Sequence, residues 1–200
     1  MKKLISTTVM IAVFTTLAFS QNENIENNFK KHFIGSSALL LINFSSLHPD
    51  YYQLNYGYRF TSKDAILVDL VTWKLSSPKG IPLGSTEEKY SGYLRESGID
   101  IGYQRILWKG LNTSFHINPL VQNYLNTDNE KIQNGFQLFM SIRFGYQFNL
   151  FKRRMFIEPT LAFNYWPVTT NEPESFKIID NRWPNYLLFD MNIHFGINFR

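Results

Sequence analysis

The sequence predicts an all-β fold, an eight-stranded antiparallel up-and-down transmembrane β-barrel, on three observations. The first is the stretch from Tyr186 to Arg200, where Leu187, Phe189, Met191, Ile193, Phe195, Ile197 and Phe199 alternate with Asp190, Asn192, His194, Gly196, Asn198 and Arg200. A period of two is a strand, and an apolar face kept over that length calls for an apolar medium, since about 9–11 tilted residues cross a bilayer. The second is an equally clean alternation from Phe136 to Leu150. There Phe136, Leu138, Met140, Ile142, Phe144, Tyr146, Phe148 and Leu150 oppose Gln137, Ser141, Arg143, Gly145, Gln147 and Asn149. The third is the rhythm of the connections: short after the second, fourth and sixth strand-like segments, longer and polar after the third, fifth and seventh. An even strand count with short turns at one end and long loops at the other is the pattern of outer-membrane barrels.

Composition narrows the alternatives. The 200 residues suit one domain, and the absence of cysteine excludes disulfides, thiol chemistry, cysteine-based zinc sites and a lipid-modified anchor cysteine. No helix-length apolar run follows the first twenty residues, which excludes helical spans; barrel strands escape that test because half of each is polar. The formal charge of +4 falls to +2 once Lys2 and Lys3 are set aside, too little to argue for nucleic acid.

In chain order, a basic start (Met1 to Lys3), an apolar run from Leu4 to Phe19 and small residues at Ala18 and Ser20 read as a secretory signal peptide over 1–20. Residues 21–31 are polar and patternless, a periplasmic lead-in, and 32–200 form the barrel. Its first strand spans about His32 to Phe44, with a pattern made imperfect by Leu39 and Leu41. The second runs to Phe60, with Tyr52, Leu54, Tyr56, Tyr58 and Phe60 opposed to Gln53, Asn55, Gly57 and Arg59. The third covers Ala65 to Leu75, with Ile66, Val68 and Leu70 against Asp69; a Pro- and Gly-bearing loop, Ser76 to Glu88, follows. The fourth ends in Gly98, Asp100, Gly102 and Gln104 against Ile99, Ile101 and Tyr103, and turns at Lys109-Gly110 into the fifth. In the fifth, Pro119 removes a ladder donor and is the weakest position. The sixth ends in the basic turn Lys152 to Arg154, the seventh covers Met155 to Tyr165, and the loop Pro167 to Pro184 leads to the closing strand.

With the N-terminus in the periplasm, aromatic residues gather in two girdles. Tyr58, Phe60, Tyr103, Trp108, Tyr146, Phe148, Phe195 and Phe199 fall at the turn end, and Tyr51, Tyr52, Trp73, Tyr124, Tyr165 and Trp183 at the loop end. A soluble lipocalin-like barrel is the structural alternative, with the apolar face inward around a ligand. The polar face decides between them: it is rich in Gly, Asn, Gln and Ser and poor in Lys and Glu, unlike a water-facing surface.

His194, Gly196 and Phe199 give a polar residue, a glycine and an aromatic at the chain end. This resembles the terminal assembly signal of bacterial outer-membrane barrels, although Arg200 follows the aromatic. Over nearly the whole chain after residue 20 the strand count and topology resemble the small barrels of the OmpA-transmembrane and OmpX kind. That resemblance implies the outer membrane of a Gram-negative bacterium, both termini periplasmic, a monomer, and outer-membrane lipid, lipopolysaccharide and the barrel-assembly machinery as partners.

The inward set is Arg59, Asp69, Asp100, His116, Arg143, Glu158, Asp190 and His194. Charges of both signs confined together should pair, because an unpaired buried charge is costly. A two-residue loop at the basic turn places Arg143 opposite Thr160 and diagonal to Glu158, and the turn at Lys109-Gly110 brings Asp100 near His116. The set reads as a salt-bridged plug in preference to a catalytic Asp-His pair or a gated polar path, since no active-site motif accompanies it. Ser46 and His48 are too weak a pair to carry chemistry, and the separation of His116 and His194 supports no metal site or other cofactor. Function is therefore expected in the loops, as a structural or surface-interaction role with an extracellular partner; a narrow pore and a lipid-modifying enzyme are the alternatives.

Overall fold

The computed structural model describes residues 30–45, 48–81 and 88–199. The segment expected to be a signal peptide, most of the expected lead-in, Ser46 and Arg200 lie outside the described residues. Within them the chain is all-β apart from two short helical turns, and every strand pairing is antiparallel. The strands are β1 (His32–Ser37), β2 (Tyr52–Arg59), β3 (Asp64–Leu75), β4 (Tyr93–Trp108), β5 (Leu111–Leu125), β6 (Lys131–Tyr146), β7 (Phe148–Leu150), β8 (Met155–Thr170) and β9 (Tyr186–Phe199). β7 continues β6 past an interruption at Gln147. Each strand pairs with the next, β6 with β8, and β9 returns to β1, from His32 opposite Phe199 to Ser37 opposite His194. The hydrogen bonds thus close through eight strands into a ring.

The alternation of the sequence becomes the two sides of this ring. Leu70, Ile101 and Ile197 point outward and are more than half exposed, whereas Asp69, Asp100, His116 and Gln122 point inward and are at most 4% exposed. No described helix is long and apolar enough to cross a membrane, which leaves strand crossing untouched.

Four local expectations change. The first strand ends at Ser37, whose Oγ accepts the N–H of Leu39 (3.1 Å) and starts a 3-10 segment, Ala38–Phe44. That is where Leu39 and Leu41 spoil the alternation. In the closing strand a bulge at Phe189, with left-handed φ of 61°, shifts the pairing between Ala162 and Asn164. It flips the alternation, so Tyr186 and Leu188 face out in place of Leu187. The basic connection is a four-residue turn, with Leu150 opposite Met155 and left-handed φ at Phe151, Lys152 and Arg153. Arg143 consequently sits opposite Ala162, and Gly145 takes the place opposite Thr160. Finally, Tyr51 and Tyr124 belong to no girdle: their strand parity turns them inward, and they are 8% and 1% exposed.

Pro119 is accommodated as expected of a residue without a donor: it holds its register with Leu138 on β6. On the β4 side the pairing is interrupted between Gly98 and Ile101.

At the loop end, β3–β4 and β8–β9 connections dock together. The helix α1 (Glu174–Asp180) buries Phe176 against Tyr90 (ring centroids 4.5 Å apart) and Tyr124 (5.0 Å). Arg182 and Trp183 both donate to Glu88, at 2.8 and 2.7 Å. Gly80 is required there, since a Cβ would collide with the carbonyl oxygen of Pro184.

Candidate functional site

The inward-facing residues form a chain of polar contacts along the ring's interior. At its middle, Arg143 on β6 donates from Nη2 to Asp100 Oδ2 (3.2 Å), and its Nη1 lies 3.9 Å from Asp69 Oδ2. The β4–β5 hairpin brings His116 Nδ1 to 3.1 Å of the same Asp100 oxygen, and His116 Nε2 lies 2.9 Å from Ser114 Oγ. Gln53 Nε2 donates to Asp69 at 3.1 Å. Two acids, one arginine and one histidine thus share a layer, which lowers the cost of burying each charge.

The other predicted residues fall elsewhere. Glu158 accepts from Gln104 Nε2 (3.1 Å) and Gln147 Nε2 (3.3 Å), nearer the turn end. The shifted hairpin register keeps it out of ion-pair range of Arg143, contrary to the diagonal expected from a two-residue loop. Arg59 stands at the turn end itself, donating to the carbonyl oxygen of Lys30 and to Asn198 Oδ1, both at 3.0 Å. Asp190 accepts from Asn164 (2.8 Å), and His194 is buried with no partner at Nδ1. Gly196 has a packing reason, because a Cβ would meet the Ile34 carbonyl and the Phe156 ring. Phe199 faces out and stacks on His32 at 5.7 Å.

Ser114, His116 and Asp100 line up in the order of a nucleophile relay, an arrangement in which an imidazole takes a hydroxyl proton and a carboxylate holds it. The serine is the member that sequence reasoning left out, although it shares the inward parity of His116. The adjacent cavity is only about 30 Å³, lined by Phe33, Leu67, Phe156 and polar neighbours. That is room for water and not for an acyl substrate. Asp69, Asp100 and His116 also offer ligand atoms within 4.8 Å of one another, and the Arg143 guanidinium stands against both carboxylates there.

A second polar cluster, missed altogether, lies at the loop end beside a cavity of about 470 Å³. Lys79 from the β3–β4 loop reaches Glu96 Oε2 (2.7 Å) and Gln137 Oε1, with its ammonium 5.4–5.8 Å from the ring centres of Trp73, Phe139 and Trp166. Glu96 is fully buried and also accepts from Trp73 Nε1 (2.6 Å) and Gln122 Nε2 (2.7 Å). Burial lowers the basicity of the Lys79 amine, and Glu96 opposes that shift. Glu96 shares the parity of Asp100 and was within reach of the alternation argument; Lys79 lies in a loop without any period. No protein-family model, curated protein or solved structure matches this chain.

Proposed function

We propose that this protein is an outer-membrane β-barrel with a filled interior, a rigid anchor that presents its loop-end cap for recognition outside the cell. One observation carries the reading: the ring hides its charges and exposes its aliphatic side chains, the reverse of a water-soluble sheet. Such a distribution is favourable where the outside is lipid and the inside is satisfied by its own hydrogen bonds. The cap then holds the groups left for recognition, on a support whose strands cannot move far.

Detergent-folded protein examined by heat-modifiable gel migration and circular dichroism tests the anchor. A shifted unheated band with strand-dominated spectra, and no fold in plain buffer, is the expected result. Folding without detergent would defeat the membrane reading. Replacing the two long loops by tight turns should then abolish binding to target cells or lipopolysaccharide while leaving assembly intact.

A narrow pore is the second reading, favoured by one feature. Arg143 lines both interior cavities, of about 30 and 80 Å³, and stands between them. Planar-bilayer recordings should find the native protein closed; steady conductance in it would replace the anchor reading with the pore. The enzyme reading draws least from the geometry, because the serine relay is enclosed.

A further inference from the structure

Five cationic side chains line one cavity at the turn end: Lys30, Arg59, Lys63, Lys109 and Arg153. They come from the chain before β1, the end of β2, and the three tight turns, so the fold itself gathers them. The cavity measures about 260 Å³, several times the interior ones, and no acidic side chain lines it among the described residues. Like charges brought together raise one another's energy, and the tight turns could have carried neutral residues at no cost to the ring. Arg59 forms the floor, 7% exposed, with its guanidinium 4.3 Å from the Phe33 ring. Its hydrogen bonds all go to neutral oxygens, and the one to Gln147 Oε1 is long at 3.5 Å. Of five N–H donors on a guanidinium, three are thereby engaged, so donors remain for a further acceptor. Glu158 lies one layer deeper and connects to Arg59 through Gln147.

We infer that this turn-end vestibule is an oxyanion-binding site, taking a phosphate-class group with Arg59 as the fixed donor and the turn cations as its rim. A guanidinium suits two phosphate oxygens at once, and lysines add charge without demanding geometry. One wall is apolar, with Ile106, Leu107 and Trp108, so either a lipid phosphate or a soluble phosphate compound meets compatible surroundings. The site is read from charge and shape alone and does not depend on the recognition role of the cap.

The test uses the folded full chain in a non-ionic detergent at low salt. Titration with inorganic phosphate, followed by calorimetry and Trp fluorescence, is compared with titration by short-chain phosphatidylglycerol and, as control, phosphatidylcholine. Saturable phosphate binding that phosphatidylglycerol displaces places a soluble phosphate in the site; saturation by phosphatidylglycerol alone places a lipid headgroup there. Either supports the proposal. Lys63→Gln combined with Arg153→Gln, on exposed turns, should weaken binding by about tenfold or more with the heat-modifiable band unchanged. Arg59→Gln should do the same where it folds. Absence of saturable binding by both probes, or equal binding by the rim double variant, overturns the site.

Discussion

The two ends of the ring handle positive charge in opposite ways. At the loop end one lysine, Lys79, is drawn inside and surrounded by a carboxylate, an amide oxygen and three aromatic faces. At the turn end five cations stand around an open cavity with no acid on its wall. The first arrangement pairs its charge internally. The second gathers cations on one wall, and the nearest described acid, Glu158, lies a layer deeper behind Gln147. Both ends carry a cavity, about 470 Å³ at the loop end and 260 Å³ at the turn end, and they differ in whether an acid stands beside the cation.

The largest effect should come from breaking the internally paired charge. Glu96→Ala leaves Lys79 buried without its carboxylate and also strips acceptors from Trp73 and Gln122. Breaking a buried pair on one side costs about 3–5 kcal/mol, so the thermal midpoint in detergent should fall sharply. Replacing both partners, Lys79→Met with Glu96→Leu, should recover most of that loss. A double variant as unstable as the single one would mean that Glu96 acts through Trp73 and Gln122 and not through the lysine.

Next in size is the docking of the two loops. Gly80→Ala puts a methyl group into the Pro184 carbonyl, and overpacking of that kind costs about 1–3 kcal/mol. The loss should be local: faster hydrogen exchange in α1 and readier proteolysis of the β8–β9 connection, with the strands unaffected. Protection lost equally across the strands would show that cap and ring unfold together.

How far each end was legible in the sequence follows from the same contrast. Period-two alternation located every strand of the ring, because inward and outward residues must differ wherever the two sides differ. It failed where the backbone adds or re-aims a residue. The Phe189 bulge reversed the facing of Leu187, and the left-handed run Phe151 to Arg153 lengthened a turn and moved Arg143 away from Glu158. Both departures involve non-glycine residues at positive φ, for which no turn-residue signal exists. The central layer was half legible: Asp100 and His116 follow from the hairpin register, whereas Arg143 reaches Asp69 and Asp100 across the ring's interior, which no pairing rule predicts. Lys79 was invisible for a third reason, since a loop side chain that turns inward leaves no period.

A pH effect is also expected at the loop end. Burial, and the hydrogen bond shared with Asp180, push the Glu172 carboxyl up to about 8. Tyr90 donates to the same Asp180, and Lys177 and Glu174 of α1 act on Glu172 with opposite signs. Because the folded value exceeds the ordinary 4.5, the stability tied to this proton is full below about 4.5 and is lost as pH rises through about 8. Hydrogen exchange in α1 should therefore accelerate between pH 6 and 9 beyond its intrinsic base-catalysed rise, and Glu172→Gln should remove the excess. An unchanged excess in that variant would assign the effect to another group.

The smallest effect separates the ends most cleanly. Salt weakens attraction between exposed opposite charges and relieves repulsion between like ones, with a screening length of about 8–10 Å at moderate ionic strength. The turn-end cations should thus be less strained in salt, and wild-type stability should rise by a few tenths of a kcal/mol as ionic strength goes from about 0.01 to 0.15 M. The loop-end lysine, enclosed with Glu96, should be nearly indifferent. Lys63→Gln with Arg153→Gln should abolish the salt increment, while Glu96→Ala should leave it in place. If the increment survives loss of the rim charges, the repulsion resides elsewhere, and the vestibule carries no electrostatic cost for an oxyanion to relieve.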